Sequence, residues 1–200
     1  MNAFGMDAFG DVADVEVDVY TSDYRVSGIV RTRFGRVAEI LNQLTAQHLQ
    51  VEHATVSEHV EGGQPIGAPS ALVAVDRILF MIAPGLSGEP RSEMRIAKRA
   101  VRAQLDMPPF RITGAIHVSP GGRPVDGLLN VSDRFVAMTD VTIACTAHPQ
   151  LDRSAAAVAL RRDQAHVLLV ADDENPDALL ADVLDERTAE SWLRGGQESG

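Results

Sequence analysis

"YRVSGIV" (residues 24–30) and "FRITGAI" (residues 110–116) match in kind at every position. Tyr24 answers to Phe110, Arg25 to Arg111, Val26 to Ile112, Ser27 to Thr113 and Gly28 to Gly114. In the first stretch one face carries Tyr24, Val26, Gly28 and Val30, and the other Arg25, Ser27, Ile29 and Arg31. Alternation with period two is the mark of a half-buried strand. A glycine inside a strand weakens it unless the chain must bend or another backbone must come close. The same demand therefore arises twice.

The match extends outward. "RTRFGRVAEILN" follows the first copy and "HVSPGGRPVDGLLN" the second, placing Val37, Ile40, Leu41 and Asn42 on Val125, Leu128, Leu129 and Asn130. Their i, i+3, i+4 spacing predicts one or two helical turns with one apolar face, closed by an asparagine in the left-handed conformation. "HLQVEHATV" (48–56) falls on "FVAMTDVTI" (135–143), and "ALVAVDRILFMI" (71–82) on "ALRRDQAHVLLV" (159–170). Both pairs alternate as strands, the last broken by a tight turn. Four ordered matches at an offset of 86 to 88 residues argue for an internal duplication.

Composition bounds the rest. The chain has 200 residues, 45% of them hydrophobic, enough for one ordinary domain or two small ones. It contains no apolar run of membrane-spanning length and no basic, apolar leader, and its single cysteine, Cys145, cannot form an internal disulfide. These features point to the cytoplasm. Cys145 sits in the alternating "VTIACTA" and reads as a small buried hydrophobe. The net charge of −10 is concentrated at the ends: Asp7, Asp11, Asp14, Glu16 and Asp18 at one, and "DDENPDALLADVLDE" at the other. Acidic ends repel nucleic acid; the nearly neutral body does so less.

Between the copies, "PRSEMRIAKRAVRAQL" (90–105) reads as a helix with Met94, Ala97, Val101 and Leu105 on one stripe and Arg91, Arg95, Lys98, Arg99 and Arg102 on a basic face. After the second copy, Asn175 and Pro176 open an acidic helix whose stripe of Leu179, Leu180, Val183 and Leu184 extends toward Trp192. Trp192 is a candidate anchor for a partner subunit, and Phe4 and Phe9 in "NAFGMDAFGD" a candidate docking motif. The recurrent Arg25 and Arg111, each followed by a hydroxyl residue, are a candidate anion-binding face. His48, His53 and His59 do not have the spacing of a zinc site. "EGGQPIG" and "PGGRP" lack the Gly-Lys-Ser/Thr of a phosphate loop, and there is no Gly-x-Ser-x-Gly. No metal, cofactor or catalytic residue is implied.

A glycine-bearing early strand, a middle strand containing "MTD" (138–140) and a last strand following a short turn together resemble the small, strongly bent β-barrels of the Sm-like kind, over roughly 17–84 and 109–172. The short helix sits inside the repeat rather than before its first strand, and the Asn and Arg-Gly signature of Sm RNA pockets is missing, so RNA binding is not implied. The repeat also resembles uncharacterised bacterial domains that combine a strand, an "R-x-x-[DE]-x-LN"-like turn and a "TD" strand.

The expected architecture is mostly β (α+β): two tandem duplicated small β-barrel domains, each with a short inserted helix, a linker helix and a C-terminal helix. The expected segments are an acidic flexible tail (1–16), the first barrel (17–84), a linker with the basic helix (85–108), the second barrel (109–172), the acidic helix (173–194) and a disordered tail (195–200). The expected role is a non-catalytic protein-interaction or assembly module, self-associating or binding another protein. The alternative is a nucleic-acid or anionic-ligand binder using the basic linker helix and the Arg25/Arg111 face.

Overall fold

A computed structural model describes residues 12–86, 98–119 and 132–171. The described chain runs β1 (Ala13–Tyr20), β2 (Tyr24–Thr32), α1 (Val37–Asn42), β3 (His48–Glu58), β4 (Ile66–Ala74), β5 (Phe80–Ile82), β6 (Arg99–Met107), β7 (Phe110–Val118), β8 (Phe135–Cys145), β9 (Arg153–Arg161) and β10 (Val167–Val170). One-turn 3-10 helices at Val75–Arg77 and Arg162–Gln164 join β4 to β5 and β9 to β10. All ten strands form one sheet in the order β10-β6-β7-β8-β9-β5-β1-β2-β3-β4, and every pairing is antiparallel.

The two expected barrels are therefore not formed. Among the described residues β4 pairs with β3 alone, and β5 pairs with β1 on one side and with β9 of the second half on the other. The turn at Val75–Arg77 carries the chain away from β4, so β5 does not close its own half and instead joins the halves into one sheet. What survives is the duplication of strand order. β5-β1-β2-β3-β4 and β10-β6-β7-β8-β9 run identically.

The glycines explain the opening match. In each half the first ladder is regular, and the second shifts register opposite the glycine: between Ser27 and Ile29, and between Thr113 and Ala115. His53 and Ala54 oppose Gly28, as Asp140 and Val141 oppose Gly114, two residues against one. His53 (φ 50°) and Asp140 (φ 51°) take the left-handed conformation of such bulges. The bulged backbone presses on the glycine: a Cβ would lie 2.6 Å from Glu52 O at Gly28 and 2.8 Å from Thr139 O at Gly114. The glycine is required by close approach of the neighbouring strand, and the bend follows from the bulge.

Three further expectations change. Residues 99–107 are strand, not helix: Val101, Ala103, Leu105 and Met107 are all buried at spacing two. Arg99 and Arg102 thus lie on β6. The segment 13–16 is not tail but the start of β1, which buries Val15, Val17 and Val19 at spacing two. Asn42 does not end α1 in the left-handed conformation; the cap is Gln43 (φ −90°). α1 itself stands as expected, burying Val37, Ile40 and Leu41. Cys145 is buried at the end of β8, and burial pushes its thiol up. The expected second inserted helix, most of the expected linker helix, the expected C-terminal helix and the expected tail at 195–200 lie outside the described residues. No helix among the described residues is long and apolar enough to cross a membrane.

Two cores lie against the sheet and exchange residues where the halves meet. The core of the second half takes in Tyr20, Leu79, Phe80 and Ile82 from the first. That of the first half takes in Phe135 and Ala159 from the second.

Candidate functional site

Of the candidate interaction residues, Phe4, Phe9, Arg95 and Trp192 lie outside the described residues. Arg25 stands on β2, half exposed, with its Nε donating to Asp18 Oδ1 at 3.2 Å and to Ser27 Oγ at 3.0 Å. Ser27 Oγ donates to the same carboxylate, and Arg153 Nη1 reaches its other oxygen at 2.9 Å. The arginine and hydroxyl expected to face an anion are thus turned onto an internal acid. Arg111 on β7 is bound likewise to Asp106 at 3.1 Å, and the Thr113 that follows it is buried. Arg99 and Arg102 lie on β6, the strand paired with β7, opposite Val118 and Ala115.

A shallow depression of about 270 Å³ lies over Gly28, bordered by Glu16, Asp18, Ser27 and His53. Asp18 and Ser27 there are already committed to each other and to Arg25 and Arg153. Among the described residues no three His, Cys, Asp or Glu side chains group as a metal site.

The densest chemistry lies at the β5–β9 junction. Phe80 pairs with Leu160, Met81 with Ala159 and Ile82 with Val158, and the Arg161 N–H donates to Leu79 O at 2.8 Å. Behind this short ladder Tyr20 stacks on Phe80 with centroids 4.4 Å apart, and Phe110 meets both rings edge-on at 5.7 and 5.0 Å. His59 completes the cluster, 5.4 Å from Phe110, with its Nε2 3.1 Å from Thr21 O. That contact makes Nε2 the protonated nitrogen, because a carbonyl only accepts. Burial holds the imidazole pKa below its ordinary value and pushes the Tyr20 hydroxyl up to about 12. The Arg153 guanidinium lies 5.2 Å over the Tyr20 ring while binding Asp18.

Polar ties frame the cluster. The buried Arg161 donates through Nη1 to Val75 O of the first half at 2.8 Å and through Nε and Nη2 to Asp163, whose carboxyl it holds below the usual range. Asn42 exchanges two 2.8 Å hydrogen bonds with the backbone of Phe135. Sequence reasoning missed this cluster because its rings come from four separate segments. The only signal was the concentration of aromatics, in a chain with few, near the ends of strands.

No family model, curated protein or solved structure matches the chain.

Proposed function

We propose that the protein is a non-catalytic assembly module that associates through the edges of its sheet. The observation that carries this reading is the state of the two outermost strands. Among the described residues β4 and β10 each have a single strand partner, so each offers an unpaired row of backbone donors and acceptors. Both also expose apolar side chains, Ile66 and Leu72 on β4 and Val167 and Leu169 on β10. Exposed, apolar edges are templates for pairing with another chain, and proteins that stay apart protect them with charge, proline or cover. β4 carries Pro69 but no charged residue, and β10 carries none. An anion-binding role is less well supported, since Arg25 and Arg111 are bound to Asp18 and Asp106.

Light scattering of the full chain across a concentration series tests the reading. Mass rising with concentration supports it. A mass of 21.5 kDa throughout, that of one chain, overturns it.

A further inference from the structure

The ladders fix which residues of the two halves correspond. Gly28 faces Val17 as Gly114 faces Ala103, and Tyr20 faces Arg25 as Asp106 faces Arg111, an offset of 86 for β1 and β2. His48 faces Ala74 as Phe135 faces Arg161, an offset of 87 for β3 and β4. Phe80 faces Tyr20 as Val167 faces Asp106, so the offset of 87 holds for β5. The sequence match of 71–82 onto 159–170 is therefore one residue out.

This correspondence carries the residues of the closed junction onto the open edges. Phe80 and Ile82 cross from β5 into the core of the second half, and their counterparts on β10 are Val167 and Leu169. Ala159 crosses from β9 into the core of the first half, and its counterpart on β4 is Leu72. Phe110 packs on Tyr20, Phe80 and His59, and its counterpart is Tyr24. Val167, Leu169, Leu72 and Tyr24 are 47%, 42%, 67% and 42% exposed, four of the seven exposed large hydrophobics among the described residues. A fifth, Ile66, stands on β4 as well. Scattered apolar exposure means nothing, but concentration at the counterparts of a buried interface does.

We propose that the chain assembles head to tail with further copies of itself, β10 of one molecule pairing antiparallel with β4 of the next in the register of the β5–β9 junction. The proposal rests on the assembly reading above and adds the partner, the surface and the register. Val167 and Leu169 enter the core of the neighbour's first half, as Phe80 and Ile82 enter that of the second. Leu72 and Tyr24 of the neighbour cover the apolar residues beside β10. Facing pairs follow from Phe80/Leu160, Met81/Ala159 and Ile82/Val158: Val167 meets Val73, Leu168 meets Leu72 and Leu169 meets Ala71. The contact joins unlike surfaces, so it propagates, closing into a ring if the rotation per molecule permits and otherwise extending as a filament. It is also weaker than its internal model. Asp106 replaces Tyr20, His166 replaces Leu79 and Ile66 replaces Arg153, removing the aromatic stack and the ion pair to Asp18.

The test uses full-length chains. Leu169→Cys is mixed with Ala71→Cys under mild oxidation; the native Cys145 is buried and serves as background. A cross-linked dimer is expected from the mixture and from neither variant alone. Ser70→Cys in place of Ala71→Cys points to the opposite face of β4, and at least tenfold less cross-link is expected. In parallel, Leu72→Lys is expected to weaken association at least tenfold in sedimentation while leaving the far-ultraviolet circular dichroism and the melting temperature of the monomer unchanged. If the chain associates but Leu169→Cys and Ala71→Cys fail to cross-link and Leu72→Lys has no effect, the head-to-tail pairing is overturned and the assembly reading stands. If the wild type is monomeric at every concentration, both are overturned, including the case in which another part of the same chain covers the edge.

Discussion

Tyr24 and Phe110 hold the same place in the two halves, opening the strand that carries the glycine, yet Phe110 is buried and Tyr24 exposed. The backbone around them is duplicated down to the bulge and its left-handed residue. The difference lies in what stands beside each half. Phe110 faces the first half across β5 and β9, whereas no described strand lies beyond β4 to receive Tyr24. The two halves thus share strand order, register and bulge and differ in the residues at their ends. The join between the halves carries aromatic rings, Arg153 and Arg161, whereas the open edges carry Ile66, Leu72, Val167 and Leu169.

The largest test of this contrast is truncation at the two aromatic positions. Phe110→Ala removes a ring packed against three others and is expected to cost about 3–5 kcal/mol, as for buried aromatic residues generally. Tyr24→Ala is expected to cost less than about 1 kcal/mol in the isolated monomer. Urea unfolding of both variants at low protein concentration measures the difference. Equal losses would show that the junction contributes no more than the open surface does.

The glycines probe what the halves share. Alanine at either position must push β3 or β8 away by its backbone carbonyl, since the Cβ would sit 2.6 or 2.8 Å from it. Overpacking of this kind costs about 1–3 kcal/mol. Gly28→Ala is expected to lose more than Gly114→Ala, because Val51 Cγ1 also lies 2.6 Å from the Gly28 position, whereas the nearest side-chain atom at Gly114, Val141 Cγ2, is at 3.1 Å. Unfolding midpoints rank the two; the reverse order would mean that β3 yields more easily than β8.

These pairs also show what the sequence could and could not reveal. The glycine match was legible because its cause, a backbone pressing on one residue, demands glycine wherever it recurs. The first short helix was legible from Val37, Ile40 and Leu41. β6 was not, because Val101 and Leu105 are four apart, a spacing that satisfies both a helix face and alternate strand positions. The buried Ala103 between them settles it, and alanine carries little sign of its side. The partner of β5 was illegible for another reason. "FMI" is apolar at every position and buried at every position, so nothing in it says which strands flank it. Arg25 and Arg111 looked like a shared cationic surface because their acids lie on neighbouring strands, at Asp18 and Asp106.

Those acids give a smaller contrast. Asp18 is mostly buried and accepts from Arg25, Ser27 and Arg153, binding the halves together, whereas Asp106 is more exposed and pairs with Arg111 inside its own half. Asp18→Ala leaves two cations facing each other and is expected to cost about 2 kcal/mol, below the range for fully buried pairs because Arg25 remains in partial contact with water. Asp106→Ala is expected to cost less than about 1 kcal/mol, as for exposed pairs. Thermal melts in low and high salt separate them, the Asp106 effect shrinking further as salt rises. A loss at Asp106 as large as at Asp18 would remove the special role of the junction ion pair.

His59 offers the smallest and most specific probe, because its ring belongs to the junction and its counterpart at the open end is Thr146. Its Nε2–H is committed to Thr21 O, and its buried Nδ1 has no partner among the described residues, so a second proton would bring an uncompensated charge among Tyr20 and Phe110. Burial is the main cause holding its pKa down; His148 and Arg25 act in the same direction, and Asp23 and the Thr21 carbonyl oppose them. A histidine with a depressed folded pKa binds fewer protons folded than unfolded once the pH drops below the unfolded value of about 6.5. Its contribution is therefore complete above that pH and is lost as the pH falls through about 6.5 toward the folded pKa. His59→Leu removes this contribution. Stability measured from pH 8 to pH 5 is expected to fall more steeply in the wild type than in His59→Leu, with the two curves parallel above pH 7. Curves that stay parallel to pH 5 would show that the junction accommodates a charged imidazole, and that the aromatic cluster is more open to water than the packing of Tyr20, Phe80 and Phe110 implies.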